Sequence, residues 1–124
     1  MAKKILIIDD EELIIKSLVR LLQKNGYIVL TAKNGQDALV ISDEEYFDLI
    51  IADIRMPGMN GVETIRSIYD NLKAKKSKNI PTIFITGYAD KNIEDDAKTL
   101  NPIAYIYKPF DIEELVDKIN KVLK

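Results

Sequence analysis

The feature that most constrains the fold is an alternation, repeated five times, of short apolar runs with amphipathic segments. The apolar runs are rich in Ile and Val, which is typical of strands covered on both faces. They predict strands at Lys4–Asp9, Tyr27–Ala32, Leu49–Asp53, Thr82–Thr86 and Ala104–Lys108. A repeated strand–helix unit implies right-handed crossovers and hence a parallel sheet. We therefore expect an α/β fold of the (βα)5 type, with one domain over residues 1–124.

The segments between the strands predict helices that each have one apolar face. These run from about Glu12 to Asn25, after Asn34-Gly35, after Asn60, from Asp90 to about Leu100, and after Asp111. Asn60 and Asp111 are each followed three residues later by a Glu, which is the spacing of a capping box. The inward face would comprise Leu13, Ile14, Ser17, Leu18, Leu21 and Leu22 in the first helix, and Leu115, Ile119 and Val122 in the last.

Composition excludes several classes of protein. The chain has 124 residues, of which 47% are hydrophobic and 31% charged, as expected for a soluble globular domain. Its apolar runs are too short for a membrane helix. The lack of Cys excludes disulfides and thiolate metal sites and fits the cytoplasm, and the lack of His excludes a Ser-His-Asp triad and a His-based zinc site. Any chemistry has to use carboxylates, hydroxyls, lysines and a hard metal.

The charge balance argues against nucleic-acid binding as the main task of this domain, since the net charge is −2 and the isoelectric point is near 5.2. The segment Lys73–Asn79 carries four lysines and could be interpreted as a nucleic-acid contact. We favour a solvated loop, because a short run of like charges is most often an exposed surface.

Polar residues follow four of the predicted strands. In an open parallel sheet, ligands bind at the carboxyl ends of the strands. That edge would carry carboxylates, a hydroxyl and an ammonium, at Asp9-Asp10-Glu11, Asp53, Thr86 and Lys108. A single Asp at a strand end is most often a helix cap or a turn former. Because four strands deliver complementary groups to one edge, we expect a functional site there.

The carboxylates of Asp9, Asp10 and Asp53 would repel one another unless a cation joined them. With oxygen ligands only, the natural cation is Mg²⁺, which binds carboxylates, water and phosphate oxygens. The metal and Lys108 could neutralise an incoming phosphoryl group while Thr86 donates a hydrogen bond to it. A carboxylate at the centre of this array is suited to act as a nucleophile.

Four segments together resemble the receiver domains of bacterial two-component response regulators. They are Ile7-Ile8-Asp9-Asp10-Glu11, Asp53 with Met56-Pro57-Gly58-Met59-Asn60-Gly61, Thr86-Gly87-Tyr88-Ala89, and Lys108-Pro109-Phe110. The resemblance covers the whole chain, with the motifs in the family's order and spacing. It implies a flavodoxin-like, doubly wound sheet with strand order 2-1-3-4-5. It also implies a phosphoacceptor switch of a two-component phosphorelay, not an enzyme that turns over a substrate.

The resemblance assigns roles to the matching residues. Asp53 would be phosphorylated, and Thr86 and Lys108 would hold the phosphoryl oxygens. The ligands of Mg²⁺ would be Asp10, Asp53, the main-chain carbonyl of Arg55 and, through water, Asp9. Tyr105, three residues before Lys108, would be the aromatic switch, with the signal emerging on the face of the fourth helix, fifth strand and fifth helix. The Lys108–Pro109 bond would be cis.

The resemblance further implies that a sensor histidine kinase or a phosphotransfer protein donates the phosphoryl group from a phosphohistidine. The downstream protein target is not indicated, and neither nucleic acid nor a membrane is an expected partner of this domain alone. Near the site, the first helix carries Ile14 and Ile15. We expect one of them to pack inward and the other to help receive the helix of the donor.

Three alternatives remain open from the sequence. An aspartate-nucleophile phosphohydrolase would have its nucleophile on the first strand in an Asp-x-Asp arrangement, which Asp9-Asp10-Glu11-Glu12 does not supply. A degenerate receiver that serves only as a scaffold would lack a site residue, yet all are present. The chain could also be a receiver domain cut from a larger transcription factor or hybrid kinase. Read without such an effector, it would act through protein contacts or phosphoryl relay.

Overall fold

The computed structural model describes residues 2–124, in which five strands alternate with five helices. The strands are β1 (Lys4–Ile8), β2 (Ile28–Ala32), β3 (Leu49–Asp53), β4 (Thr82–Thr86) and β5 (Ala104–Tyr107). The helices are α1 (Glu12–Lys24), α2 (Gly35–Glu44), α3 (Gly61–Ala74), α4 (Lys91–Lys98) and α5 (Ile112–Leu123). The predicted (βα)5 alternation is confirmed.

All strands are parallel and lie in one sheet, in the order β2-β1-β3-β4-β5, which confirms the order implied by the resemblance. Two residues predicted as strand ends lie just outside the strands but still bond to the neighbouring strand. The Asp9 amide donates to the Ala32 carbonyl at 3.0 Å, and the Lys108 amide donates to the Thr86 carbonyl at 2.7 Å. Main-chain hydrogen bonds therefore hold Asp9 and Lys108 at the carboxyl edge of the sheet.

Helices cover both faces of the sheet. One core cluster packs α1 and α5 against the sheet, and the other packs α2, α3 and α4 against the opposite face. Every residue of β3 and β4 is buried, which explains why these central strands are almost continuously apolar. Each fully buried Leu or Ile side chain contributes about 1.5–3 kcal/mol of transfer free energy. Across residues 2–124, no helix has both the length and the apolar surface of a transmembrane span.

Two of the predicted helix caps fix loops near the carboxyl edge. The Asn60 side chain accepts a hydrogen bond from the Glu63 amide at 2.9 Å, and the Glu63 side chain accepts one from the Asn60 amide at 3.0 Å. This confirms the capping box at the start of α3. Asp111 caps α5 by accepting from the amides of Glu113 and Glu114. Such a cap is worth about 1 kcal/mol.

The apolar faces of α1 and α5 are narrower than predicted. Leu18 and Leu22 are buried, but Ser17 is exposed and Leu13 is 83% exposed. Leu13 and Ser17 lie four residues apart, on a flank of α1 where the helix surface turns from the sheet to solvent. Val122, one residue before the end of α5, is also exposed. The inward placement of these three residues was wrong, and Leu13 is left as an apolar side chain in solvent.

The lysine-rich segment begins inside α3. Lys73 lies in the last turn of that helix, and residues 75–79 form an exposed connection towards β4. Lys75 forms an ion pair with Asp43 of α2. The prediction of a solvated segment is confirmed for the residues after α3.

Candidate functional site

Three carboxylates meet at the carboxyl edge of the sheet. Asp9 and Asp10 follow β1 directly, and Asp53 is the last residue of β3, the strand next to β1. Ile8 pairs with Ala52 in the sheet, so Asp9 and Asp53 are the next residues along two adjacent strands. One oxygen of each carboxylate lies within 4.8 Å of the others. Asp9 and Asp53 are buried and Asp10 is exposed, so the cluster reaches solvent at Asp10.

Lys108 extends from the end of β5 to these carboxylates. Its Nζ lies 3.2 Å from Asp53 Oδ2, 3.3 Å from Asp9 Oδ2 and 2.6 Å from Glu11 Oε1. The lysine side chain is only 11% exposed, so solvent screens these ion pairs weakly. The bond from Lys108 to Pro109 is cis, as predicted. The structure thus brings Lys108 and the predicted phosphoacceptor into direct contact.

The electrostatic environment leaves the Asp53 carboxylate incompletely neutralised. Burial, and after it the negative charge of Asp9, raises the pKa of Asp53 to about 7, against the opposing effect of Lys108. Burial alone would lower the pKa of Lys108, but its hydrogen bond to Glu11 and the charges of Asp53 and Asp9 outweigh burial and raise it. Lys108 therefore stays charged. Its single positive charge is too small to neutralise all the carboxylates around it.

A hard divalent cation fits this arrangement. Asp9 Oδ2 is buried and accepts no hydrogen bond, although the Lys108 ammonium lies 3.3 Å away as an ion-pair partner. Asp9 Oδ1 accepts a hydrogen bond from the Glu11 amide at 2.9 Å, which fixes the carboxylate. Mg²⁺ commonly binds through one or two carboxylates and keeps several waters. The exposed Asp10 carboxylate and the free oxygen of Asp9 can serve such an ion. The carbonyl of Arg55 as a further ligand stays a prediction.

Thr86 lies at the next strand end. It closes β4, in which Ile85 pairs with Asp53. Its buried hydroxyl accepts a hydrogen bond from the Tyr88 amide at 3.1 Å and makes a long 3.5 Å contact to the Tyr88 carbonyl. Its main-chain carbonyl accepts from the Lys108 amide. The strand ends that carry Asp53, Thr86 and Lys108 are thus consecutive in the sheet, as the sequence predicts.

Tyr105, the predicted switch residue, is a half-buried residue of β5. Its ring centroid lies 6.3 Å from that of Phe84 and 5.6 Å from that of Tyr107, edge-on to the latter. Burial raises the pKa of its hydroxyl to about 12, so the ring is neutral at physiological pH. Movement of this ring as a switch stays a prediction.

Sequence reasoning gave no role to Glu11, although it forms the shortest of the three Lys108 contacts. The signal was present, because Glu11 continues the acidic run at the end of β1. The sequence does not show that the Lys108 side chain extends past β4 as far as Glu11. Glu11 therefore helps to position Lys108 next to Asp53.

Gly61, the first residue of α3, packs directly on the main chain of Asp53. Its amide donates to the Ile54 carbonyl at 2.8 Å. A Cβ atom at position 61 would lie 2.1 Å from the Asp53 carbonyl oxygen. This distance is so far below van der Waals contact that the backbone would have to move. This glycine is required for close approach of two main chains, and it fixes the start of α3 against the end of β3.

Replacing Gly61 with Ala is expected to lower the free energy of unfolding by at least about 2 kcal/mol, because the new methyl group overlaps backbone atoms. Urea denaturation followed by circular dichroism measures the loss. Gly87→Ala is the matched control, since a Cβ there meets nothing within 4 Å. If both variants lost the same stability, the close contact of Gly61 with the Asp53 main chain would not be what excludes a side chain at position 61.

Comparison with known proteins places the chain among relatives of nearly the same extent. The profile of the response regulator receiver domain matches residues 5–120. Sporulation initiation phosphotransferase F of Bacillus subtilis (strain 168) is 35% identical over 123 residues, which is 99% of this chain and 95% of that protein.

Solved structures agree with this match. A response regulator receiver domain protein (CheY-like) from Methanospirillum hungatei JF-1 has a TM-score of 0.88 at 30% identity, over 98% of this chain and 93% of that one. A response regulator protein from Burkholderia pseudomallei, solved with a phosphorylated aspartic acid, calcium ion and citrate, has a TM-score of 0.79 at 28% identity, over 98% of this chain and 66% of that one. The chain therefore belongs to the response regulator receiver domain family, as its four motifs predicted.

Proposed function

We propose that Asp53 is the phosphoacceptor of this receiver domain and that a phosphohistidine of a partner protein is the donor. The observation that carries the proposal is the buried Asp53 carboxylate, which lies between the Lys108 ammonium and the two aspartates that follow β1. Positioning and charge neutralisation are the main requirements of phosphoryl transfer. Receiver domains signal rather than turn over a substrate, so the reaction ends with the modified protein.

In the transfer, an Asp53 oxygen bonds to phosphorus while the bond from phosphorus to the donor nitrogen breaks. The electron pair of the broken bond stays on that nitrogen, and the histidine ring of the donor takes up a proton to become a neutral imidazole. An acyl phosphate remains on Asp53. Lys108 and Thr86 hold oxygens of the transferred group. Bound Mg²⁺ would neutralise phosphoryl oxygens. Its ligands would be Asp10, Asp53, the Arg55 carbonyl and, through water, Asp9.

The relatives support this assignment. One is named a phosphotransferase of sporulation initiation, and another holds a phosphorylated aspartic acid together with a calcium ion. By likeness to them, residues 1–124 are one receiver domain that acts in the cytoplasm with a histidine kinase or phosphotransfer protein. Thr86 would move towards the phosphoryl group and Tyr105 would turn into the space it leaves. Such a movement biases an existing equilibrium on the face of α4, β5 and α5.

Phosphate incorporation from acetyl phosphate tests the proposal without a partner protein. The wild-type chain, incubated with acetyl phosphate and Mg²⁺, should gain one phosphoryl group in intact mass spectrometry. Peptide mapping after borohydride reduction of the acyl phosphate should place the modification at Asp53. Absence of any mass gain, or a modification at another acidic residue, would overturn the proposal.

The donor protein should contact Leu13. This side chain is 83% exposed at the start of α1, two residues from Glu11, which bonds Lys108. Ile14 and Ile15 both pack partly against the core, and the docking role expected for one of them stays a prediction beside that of Leu13. Leu13→Ser should slow transfer from a phosphorylated histidine phosphotransfer protein by about tenfold, the loss typical of an exposed apolar contact at an interface.

Labelling by acetyl phosphate should be unchanged in Leu13→Ser, because the substitution leaves the aspartates and Lys108 intact. Val40→Ser is the matched control, since Val40 is a 59% exposed apolar residue on α2. Equal rates of protein-to-protein transfer in the wild type and Leu13→Ser would remove Leu13 from the docking surface. The two assays separate failure of docking from failure of the phosphoacceptor site.

A further inference from the structure

A groove of about 410 Å³ lies on the outer side of α1, above the free edge of the sheet. Its apolar floor is formed by Ile15 and Val19 of α1 and by Val29 of β2. Lys16, Arg20 and Thr31 line its margins. β2 is the first strand in the sheet order, so its outer edge has no neighbouring strand among the described residues. The groove is thus bounded by a helix on one side and an unpaired strand edge on the other.

The backbone of β2 presents hydrogen-bonding groups to this groove. The Ile28 amide donates to the Lys3 carbonyl, and the Ala32 carbonyl accepts from the Asp9 amide, so these residues bond inward to β1 and its flanking residues. In a parallel pair, alternate residues direct both main-chain groups to the same neighbour. Val29 and Thr31 therefore direct their amides and carbonyls outward. The two residues with outward main-chain groups are the same two strand residues that line the groove.

The charge of the groove is positive. Among the ion pairs between described residues, none involves Lys16 or Arg20. Glu12, which lies one turn before Lys16 on α1, forms its ion pair with Lys33; Lys33 and, to a smaller extent, the nearby charge of Lys16 lower the pKa of Glu12. A bound segment that carried a carboxylate next to apolar side chains would complement both the cations and the floor.

We propose that this groove binds an extended acidic segment of a partner protein, which adds a sixth strand to the sheet at β2. Its main chain pairs with the outward amides and carbonyls of Val29 and Thr31. Its side chains on the α1 face alternate between apolar groups over Val19 and carboxylates against Lys16 and Arg20. Addition of a strand to a sheet edge is an established mode of peptide recognition, in which main-chain bonds supply affinity and alternate side chains supply specificity.

Two other occupants fit less well. A second copy of the chain, paired edge to edge at β2, would bring two sets of Lys16 and Arg20 together, and like charges oppose such pairing. A helix laid beside α1 could fill the apolar floor but would leave the outward groups of Val29 and Thr31 unpaired. The site is separate from the phosphoacceptor cluster, which lies at the ends of β1 and β3, so it does not depend on the function proposed for Asp53.

The test uses a synthetic peptide in which valine and glutamate alternate along one face and threonine occupies the other. Titration into the ¹⁵N-labelled full chain should shift the amide resonances of Val29 and Thr31 and slow their hydrogen exchange. The double variant Lys16→Glu/Arg20→Glu should bind the peptide at least about tenfold more weakly, because charge-assisted contacts are lost. Lys118→Glu, an exposed lysine of α5 outside the groove, should bind like the wild type.

Methylation of the peptide main chain separates strand addition from other binding. N-methyl groups on the amides of one edge should abolish binding, while the same groups on the opposite edge should be tolerated, because only one edge pairs with β2. Binding that survives N-methylation of each edge in turn would overturn the proposal. So would an acidic helical peptide that binds while Val29 and Thr31 exchange as before, or a dimer of the free chain in sedimentation that is lost in Lys16→Glu/Arg20→Glu.

Discussion

Asp53→Asn is expected to take up no phosphoryl group from acetyl phosphate or from a phosphohistidine donor. An amide oxygen is too weak a nucleophile to attack phosphorus, and of the three carboxylates that contact Lys108 only that of Asp53 ends β3, next to Thr86 at the end of β4. Intact mass spectrometry should show the full mass gain in the wild type and none in the variant. The fold should persist, since Asn keeps the shape of the side chain and removes a buried charge.

Asp95→Asn is the matched control for this experiment. Asp95 is an exposed aspartate of α4 and is not part of the carboxylate cluster. It forms a surface ion pair with Lys91. Its replacement should leave labelling unchanged. Undiminished labelling of Asp53→Asn would mean that the phosphoryl group resides elsewhere, and Asp9 and Asp10 would then be the residues to replace.

Removal of divalent cations should slow phosphoryl incorporation at least about a hundredfold, a loss comparable to that of one preorganised electrostatic contact in an active site. Without a cation, the phosphoryl group has to approach three clustered carboxylates, of which Asp9 and Asp53 pair with Lys108. Labelling with acetyl phosphate in EDTA, followed by addition of excess Mg²⁺, measures the effect and its reversal. Labelling in EDTA as fast as labelling in Mg²⁺ would exclude the metal from the reaction.

The two aspartates after β1 should contribute unequally to Mg²⁺ binding. Asp10 is exposed and its carboxylate can enter the shell of the ion directly. Asp9 already accepts a hydrogen bond from the Glu11 amide and lies against Lys108. Asp10→Ala should therefore weaken Mg²⁺ binding, measured by calorimetry, more than Asp9→Ala does. The reverse order would exchange the roles of the two residues.

The sequence allowed the position of the acidic cluster to be predicted because that position depends on topology alone. Parallel strands bring their carboxyl ends to one edge, and the strand order implied by the family resemblance makes β1 and β3 neighbours, so Asp9 and Asp53 were expected to lie close together. The same reasoning placed Thr86 and Lys108 at the same edge. The capping box at Asn60 was equally predictable, since it depends on residues three positions apart.

Other features of the structure depend on distances between atoms, which the spacing of residues along the sequence does not predict. Leu13 has the spacing of a core residue, but it lies where the flank of α1 turns from the sheet to solvent. The contact of Glu11 with Lys108 depends on how far a lysine side chain extends across a strand. The need for Gly61 arises from the approach of two main chains, which only their coordinates reveal.

The charges around Lys108 limit what a partner can detect from a distance. One ammonium contacts the carboxylates of Asp9, Glu11 and Asp53, and the Asp10 carboxylate lies in the same cluster. A divalent cation and a phosphoryl group with about two negative charges would change the local charge by only about one unit, because their contributions largely cancel. A partner therefore has to recognise the phosphorylated state by the positions of atoms rather than by an altered field. Such recognition should persist in concentrated salt, where exposed charges are screened within about 3 Å.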